Sequence, residues 1–283
     1  MNSGQPAPRQ AAGTGSALAP RPTAAGKDCN MDKFSFSTFG VARTLMALAV
    51  FFCHVFEPFN NFGFLFVGVF FFMSGFGLEL RSRRLSALTR LIPYLGIFAA
   101  FSVLYYAIFR VFPYPSSWFF VVYFVVMVLY RLSSNIYVLT GLFVAFAVFL
   151  AVLGFNWVWG ASYGGFLLGV FVARYPRYFT LSNCFFFFLV NFIVLVYVGP
   201  FFWGFLPLFT WLVLKFSSLS FMRPVAFLGQ YTLLFYCSHC LFLGLLGATW
   251  TLGGSPSLHT VAFALFLTCV FSYVMKEGIF IKR

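Results

Sequence analysis

Residues 37–56 read STFGVARTLMALAVFFCHVF. At about 1.5 Å of rise per residue, twenty apolar-dominated residues match the roughly 30 Å hydrocarbon core of a bilayer. The stretch is therefore read as a membrane-spanning helix. It also holds two ionisable residues, Arg43 and His54. A charge at the centre of a span costs at least about 2.5–3.5 kcal/mol, so its presence asks for a reason.

Working outward, the rest of the chain repeats this apolar character. Apolar types make up 62% of the 283 residues and charged types only 8%, against roughly 25% charged in an ordinary globular domain. That excludes a soluble fold, a disordered chain and a coiled coil. Ten apolar stretches are expected as spans, at 37–56, 62–80, 91–112, 117–131, 136–154, 157–173, 183–199, 201–215, 226–249 and 257–275. The break at Gly199-Pro200 separates the seventh from the eighth. Residues 1–33, rich in Pro, Ala, Gly, Ser and Thr, cannot bury enough apolar surface to fold alone. They are read as a disordered basic cytoplasmic tail, followed by a ten-helix membrane domain over 34–283.

The net charge of +13 follows the loops. The tail, the even-numbered connections and the segment after the last span hold 16 of the 18 Lys and Arg residues. Arg110 alone falls in an odd-numbered connection, and Arg43 lies inside the first span. Basic loops mark the cytoplasmic side, so an all-α, ten-span protein of the cell membrane with both termini in the cytoplasm is expected. The basic charge needs no nucleic-acid partner. The cysteines lie mostly in apolar runs and imply no disulfide framework.

Arg43 and His54 are eleven residues apart. At 100° per residue they share a helix face, and they are about 16 Å apart along the axis. Ala47 and Val50 lie between them and are small enough to leave a groove. In the expected orientation Arg43 stands on the cytoplasmic side and His54 deeper. A cation at the mouth holds an anionic substrate, and an imidazole at depth takes a proton from a hydroxyl. Glu57 is close enough on the helix to orient His54. The alternative is that Arg43 snorkels to the interface and His54 is a satisfied core residue. The second span ends in Ser74-Gly75-Phe76 and runs into Arg81, Arg83, Arg84 and then Arg90. Guanidinium groups there suit phosphates, and serve equally as topogenic charges or anionic-lipid contacts. Glu79 and Arg83 stand i,i+4 and are expected to pair. The ninth span holds Tyr236, Cys237, Ser238, His239 and Cys240. That cluster is too compact to be a structural zinc site by itself, and no metal is expected. His259 is given no role. Gly160, Gly164, Gly165 and Gly169 recur at helix-packing spacing.

This order of features resembles the acyltransferase family 3 membrane proteins, ten-span enzymes that O-acylate carbohydrates and other acceptors. The resemblance rests on Arg43 with His54, on Gly68 through Phe76, on Arg90 with Pro93, on Trp118-Phe119, and on Phe227-Leu228-Gly229 followed by Thr232, Tyr236 and His239. It implies an acyl-CoA-dependent O-acyltransferase with no bound cofactor. The donor would be acyl-CoA, acetyl-CoA first, and the acceptor a carbohydrate or glycolipid hydroxyl. Arg43 and His54 match the family's intramembrane pair, in which the histidine is held to be essential, and Glu57 joins them as a candidate catalytic residue. Ser74 and Gly75 match its Ser-Gly-Phe element. Arg81 and Arg84 match its two-arginine element in spacing, with Arg90 before the apolar pair and Pro93; Ala87 stands three residues before Arg90. Ser74, Arg81, Arg84 and Arg90 are thus the implied donor-binding residues, and Trp118, Tyr236 and His239 the implied acceptor-binding ones. Thr232-Leu233 replaces a common Ser-Tyr pair.

Two readings from other classes compete. A lipid or glycan transporter or flippase would also carry basic loops and intramembrane charge, although no internal repeat is visible. A haem protein ligated by His54 and His239 would show itself by its visible absorption.

Overall fold

The computed structural model describes residues 36–56, 58, 62–81, 84–111, 117–133, 135–152, 158–198, 204–249 and 256–280. Within them the regular structure is helical. The α-helices are α1 (Phe36–Val55), α2 (Gly63–Arg81), α3 (Arg84–Phe109), α4 (Ser117–Leu132), α5 (Ile136–Val152), α6 (Val158–Arg174), α7 (Leu181–Val198), α8 (Phe205–Ser217), α9 (Thr232–Leu245) and α10 (Leu258–Phe280). Each overlies one of the ten apolar stretches. The tail and the Gly199-Pro200 break lie outside the described residues.

Length separates these helices. By length and composition α1, α2, α3 and α10 are each able to cross a membrane, and α8 with the 3₁₀ segment after it makes a fifth candidate, bent by 107°. Among the described residues the chain is thus helical, with four or five helices long enough to span. Burial separates them again. The apolar windows of α1 and α2 are 56% and 61% buried, those of α3 and α10 only 11% and 22%. The first pair forms the interior, and the second presents Ile92, Val103, Phe266 and Val274 outward, as suits a lipid-facing rim. The phenylalanines divide the same way. Phe51, Phe64, Phe71, Phe72 and Phe166 are fully buried, whereas Phe186, Phe192 and Phe266 are exposed.

The largest departures from the sequence expectation are at two boundaries. The third helix begins at Arg84 rather than residue 91, and Pro93 falls inside it. Leu85, Ala87 and Leu88 are strong helix formers, so the turns before the proline are already wound. In the ninth stretch, 226–249 was expected to be one span. Residues Ser220–Gln230 instead form a 3₁₀ segment containing Pro224, and α9 starts only at Thr232. Pro224 lacks an N–H, and the segment finds its stability against α1. Thr44 donates to the carbonyls of Gly40 and Val225. A Cβ on Gly40 would stand 2.5 Å from the Ala226 carbonyl oxygen, and one on Gly229 would strike the Gly40 backbone.

The interior is built on backbone contact. Gly165 and Gly169 of α6 lie against the carbonyls of Gly68 and Phe72 in α2, and Gly75 lies against that of Phe166. Small residues let two helices approach until their backbones touch.

At one end, α2, α4 and α6 meet through a polar knot. Arg174 donates twice to Glu79, Nε to Oε1 and Nη2 to Oε2, both at 3.0 Å. The Tyr130 hydroxyl donates to the same carboxylate. Arg83, the expected partner of Glu79, lies outside the described residues; the fork to Arg174 joins two helices with the bidentate geometry that suits a guanidinium and a carboxylate. The knot brings the C-terminal ends of α2, α4 and α6 together, so these three helices run parallel. Phe39 of α1 packs on Phe76 at the same end. Replacing Glu79 by Gln removes a charge-assisted fork from a partly buried site, and thermal unfolding in detergent should register a loss of about 1–3 kcal/mol. An unchanged midpoint would show the fork to be ornamental.

Candidate functional site

Two polar groupings occupy the interior, and α1 contributes to both. The first contains His54 and His239, whose ring centroids are 5.1 Å apart. His239 is fully buried. Its Nδ1 lies 3.2 Å from the Phe235 carbonyl oxygen and 3.0 Å from that of Tyr236. Carbonyls only accept, so Nδ1 carries the hydrogen and Nε2 keeps its lone pair. That Nε2 faces the Cys240 sulfur at 3.3 Å. One donor atom each from His54, His239 and Cys240 lie within 4.8 Å of one another. Around them stand aromatic walls, with Phe235 stacked on His239 at 6.0 Å, Phe51 at 6.4 Å and Tyr236 edge-on at 5.4 Å.

The second grouping contains Arg43, Ser74 and Tyr123. The hydroxyls of Tyr123 and Ser74 are hydrogen-bonded, and the Arg43 guanidinium is near enough to act electrostatically on the Tyr123 oxygen. Ser74 also donates to the Phe70 carbonyl at 3.0 Å. Arg43 and His54 are both partly exposed.

Between the groupings the helix face is packed. Ala47 and Val50 are each 3% exposed, so the groove expected beside them is filled. Val50 sits in a cluster with Phe71, Phe119 and Tyr236, and Ala47 in one with Phe51, Phe235 and Leu243. Aromatic rings supply volume that small side chains leave unfilled. A chain of rings runs from one grouping to the other. Tyr123 stacks on Phe119 at 5.8 Å, Phe119 meets Tyr236 at 4.4 Å, and Tyr236 meets His239.

The structure therefore brings together His54, Tyr236 and His239, and separately Arg43 and Ser74. Trp118 is partly buried and packs on the edge of the same aromatic cluster. Glu57 lies outside the described residues, as do the side chains of Arg81, Arg84 and Arg90, whose backbones lie in α2 and α3.

Sequence reasoning missed Tyr123 and the part played by Cys240. Tyr123 had one signal, a hydroxyl in the otherwise apolar middle of α4. Cys240 was judged within its own helix alone, whereas α1 supplies a ligand-type group from a second place. No protein-family model matches this chain, and no curated protein or solved structure matches it either.

Proposed function

We propose that the chain is an integral-membrane O-acyltransferase that moves an acyl group, acetyl in the simplest case, from cytoplasmic acyl-CoA to a hydroxyl of a carbohydrate or glycolipid. One observation carries this reading: His54 faces a second imidazole, His239, whose tautomer the backbone fixes. His54 takes the proton from the acceptor hydroxyl as that oxygen attacks the thioester carbonyl carbon. The ring then bears two N–H groups, and His239, its neighbouring imidazole, would accept one of them through Nε2 in place of the Cys240 thiol. The C–S bond breaks, and the departing thiolate recovers the proton from His54 as free CoA. His239 thus serves as a positioning residue. The apolar walls limit competing hydrolysis.

Arg43, three turns away on the same helix, receives the anionic part of the donor, and Tyr123 and Ser74 orient it; the ring-filled face between Arg43 and His54 has to open for the thioester to reach the imidazole. Arg81, Arg84 and Arg90 add positive charge for the CoA phosphates, and Glu57 orients His54. Trp118 and Tyr236 border the acceptor. In this reading all ten helices cross the bilayer and both termini face the cytoplasm. The polar knot of Glu79, Tyr130 and Arg174 marks the cytoplasmic end, in keeping with the basic loops.

The test is release of CoA thiol from acetyl-CoA by membranes carrying the parent, His54→Ala or Arg43→Ala. Equal release by all three would overturn the proposal. Movement of lipid or glycan with no CoA release would favour the transporter reading. For Arg43→Ala the KM for acyl-CoA should rise about 10- to 100-fold, since a charge-assisted contact is worth about 1.5–3 kcal/mol, with a smaller change in kcat.

A further inference from the structure

We infer that His54, His239 and Cys240 form a three-coordinate site for a soft monovalent cation, Cu(I). The donor set is two imidazoles and one thiol, drawn from α1 and α9, with the donor atoms within 4.8 Å of one another. A trigonal ion with metal–nitrogen bonds of about 2.0 Å and metal–sulfur bonds of about 2.3 Å separates its ligands by about 3.5–3.8 Å. The Cys240 Sγ–His239 Nε2 distance is 3.3 Å, so closure needs about 1 Å of movement, which rotation of the partly exposed His54 ring supplies.

The second layer of contacts has the form that metal-ligating histidines use. His239 commits Nδ1–H to the Phe235 and Tyr236 carbonyls and directs Nε2 inward, which fixes ring orientation and tautomer. Phe51, Phe235 and Tyr236 close the sides, leaving the partly exposed His54 as the way in.

Charge and softness choose the ion. Cys240 releases its thiol proton to solvent as the metal–sulfur bond forms. A thiolate with Cu(I) is neutral, and neutrality matters in an apolar interior, where an uncompensated charge is costly. Zn(II) on the same ligands keeps one positive charge and lacks the fourth ligand it prefers. Thiolate and imidazole suit Cu(I), and no oxidation or reduction is involved. The site stands on this geometry. Its consequence for activity rests on the acyl-transfer reading: an imidazole nitrogen bound to a metal no longer takes a proton, so Cu(I) inhibits transfer.

The experiment titrates the purified full chain in nanodiscs, anaerobically, with Cu(I) against a chromophoric Cu(I) chelator. One Cu(I) per chain should be retained by the parent and by Cys269→Ser, whose cysteine is exposed elsewhere. Cys240→Ser and His239→Ala should each weaken retention roughly tenfold or more. X-ray absorption of the loaded parent should show two nitrogen neighbours and one sulfur. Failure of the parent to retain one equivalent, or retention by Cys240→Ser equal to the parent's, overturns the site. Cys240→Ser preserves side-chain size, so its elution profile reports whether it folds even if His239→Ala does not. Cu(I) retention by a chain that releases no CoA when metal-free would leave the metal site standing and remove the acyltransferase, and CoA release by the metal-free chain without Cu(I) retention would do the reverse.

Discussion

If the chain transfers acyl groups as proposed, replacing His54 by alanine should lower the rate of transfer from acyl-CoA by about 10²- to 10⁴-fold, the usual contribution of a positioned general base. The loss falls on kcat more than on KM, because the imidazole acts when the acceptor proton moves and makes no demand on donor binding. On the proposed mechanism His239→Ala should produce a smaller loss of the same kind, since His239 is a neighbour of the His54 ring rather than of the reacting atoms. His239→Gln offers an amide in place of that nitrogen and should recover part of the rate. The pattern matters more than either number. Were His239 a packing residue only, the glutamine would rescue nothing and both substitutions would lower the amount of folded protein. The measurement is CoA release normalised to folded protein in the membrane. A His54→Ala rate within a factor of three of the parent would remove the base from the mechanism.

Gly169→Leu should abolish accumulation of folded protein. A Cβ at this position would run into the Phe72 carbonyl and the Phe76 amide of α2. Overpacking a core costs about 1–3 kcal/mol when side chains can shift. Here the obstacle is backbone, so relief requires α2 and α6 to move apart. That separation would strain the clusters on both sides of α2 and the Glu79–Arg174 fork. With stabilities of order 5–15 kcal/mol, the loss is decisive. Gly96 and Gly141 provide the contrast, because a Cβ at either meets nothing within 4 Å. Alanine there should be neutral or stabilising by roughly 0.5–1 kcal/mol, as for a helical glycine without a packing role. Fluorescence-detected gel filtration and thermal melts of the three variants would decide the matter. A Gly169→Leu profile like the parent's would mean that the two helices do not touch as described.

The same particulars show how far reading in one dimension reaches. Hydropathy along the chain placed a helix over each of ten stretches, because an apolar run in lipid has to satisfy its own backbone hydrogen bonds. It misjudged the start of α3 and the stretch ahead of α9. There the outcome depended on what lay alongside, the Gly40 backbone in the second case. Glycine spacing in α6 pointed to close packing but did not name α2 as the partner. Arg43 and His54 were legible as a pair because they share one helix and its period relates them. The filled face between them was not, since Phe71, Phe119 and Tyr236 come from three other helices.

By itself the sequence determined that this is a helical protein with apolar helices able to span a membrane, basic residues gathered between apolar stretches, and two ionisable groups on one helix face. Those properties depend on residue type and local period, both of which are written along the chain. Only the tertiary structure decided that His54 comes beside His239 and Cys240, that Arg43 comes within electrostatic reach of Tyr123, and that Glu79 takes Arg174. Such meetings depend on which helices touch and how they are rotated about their axes. That is settled by the collective fit of aromatic and glycine surfaces, a property no single segment carries.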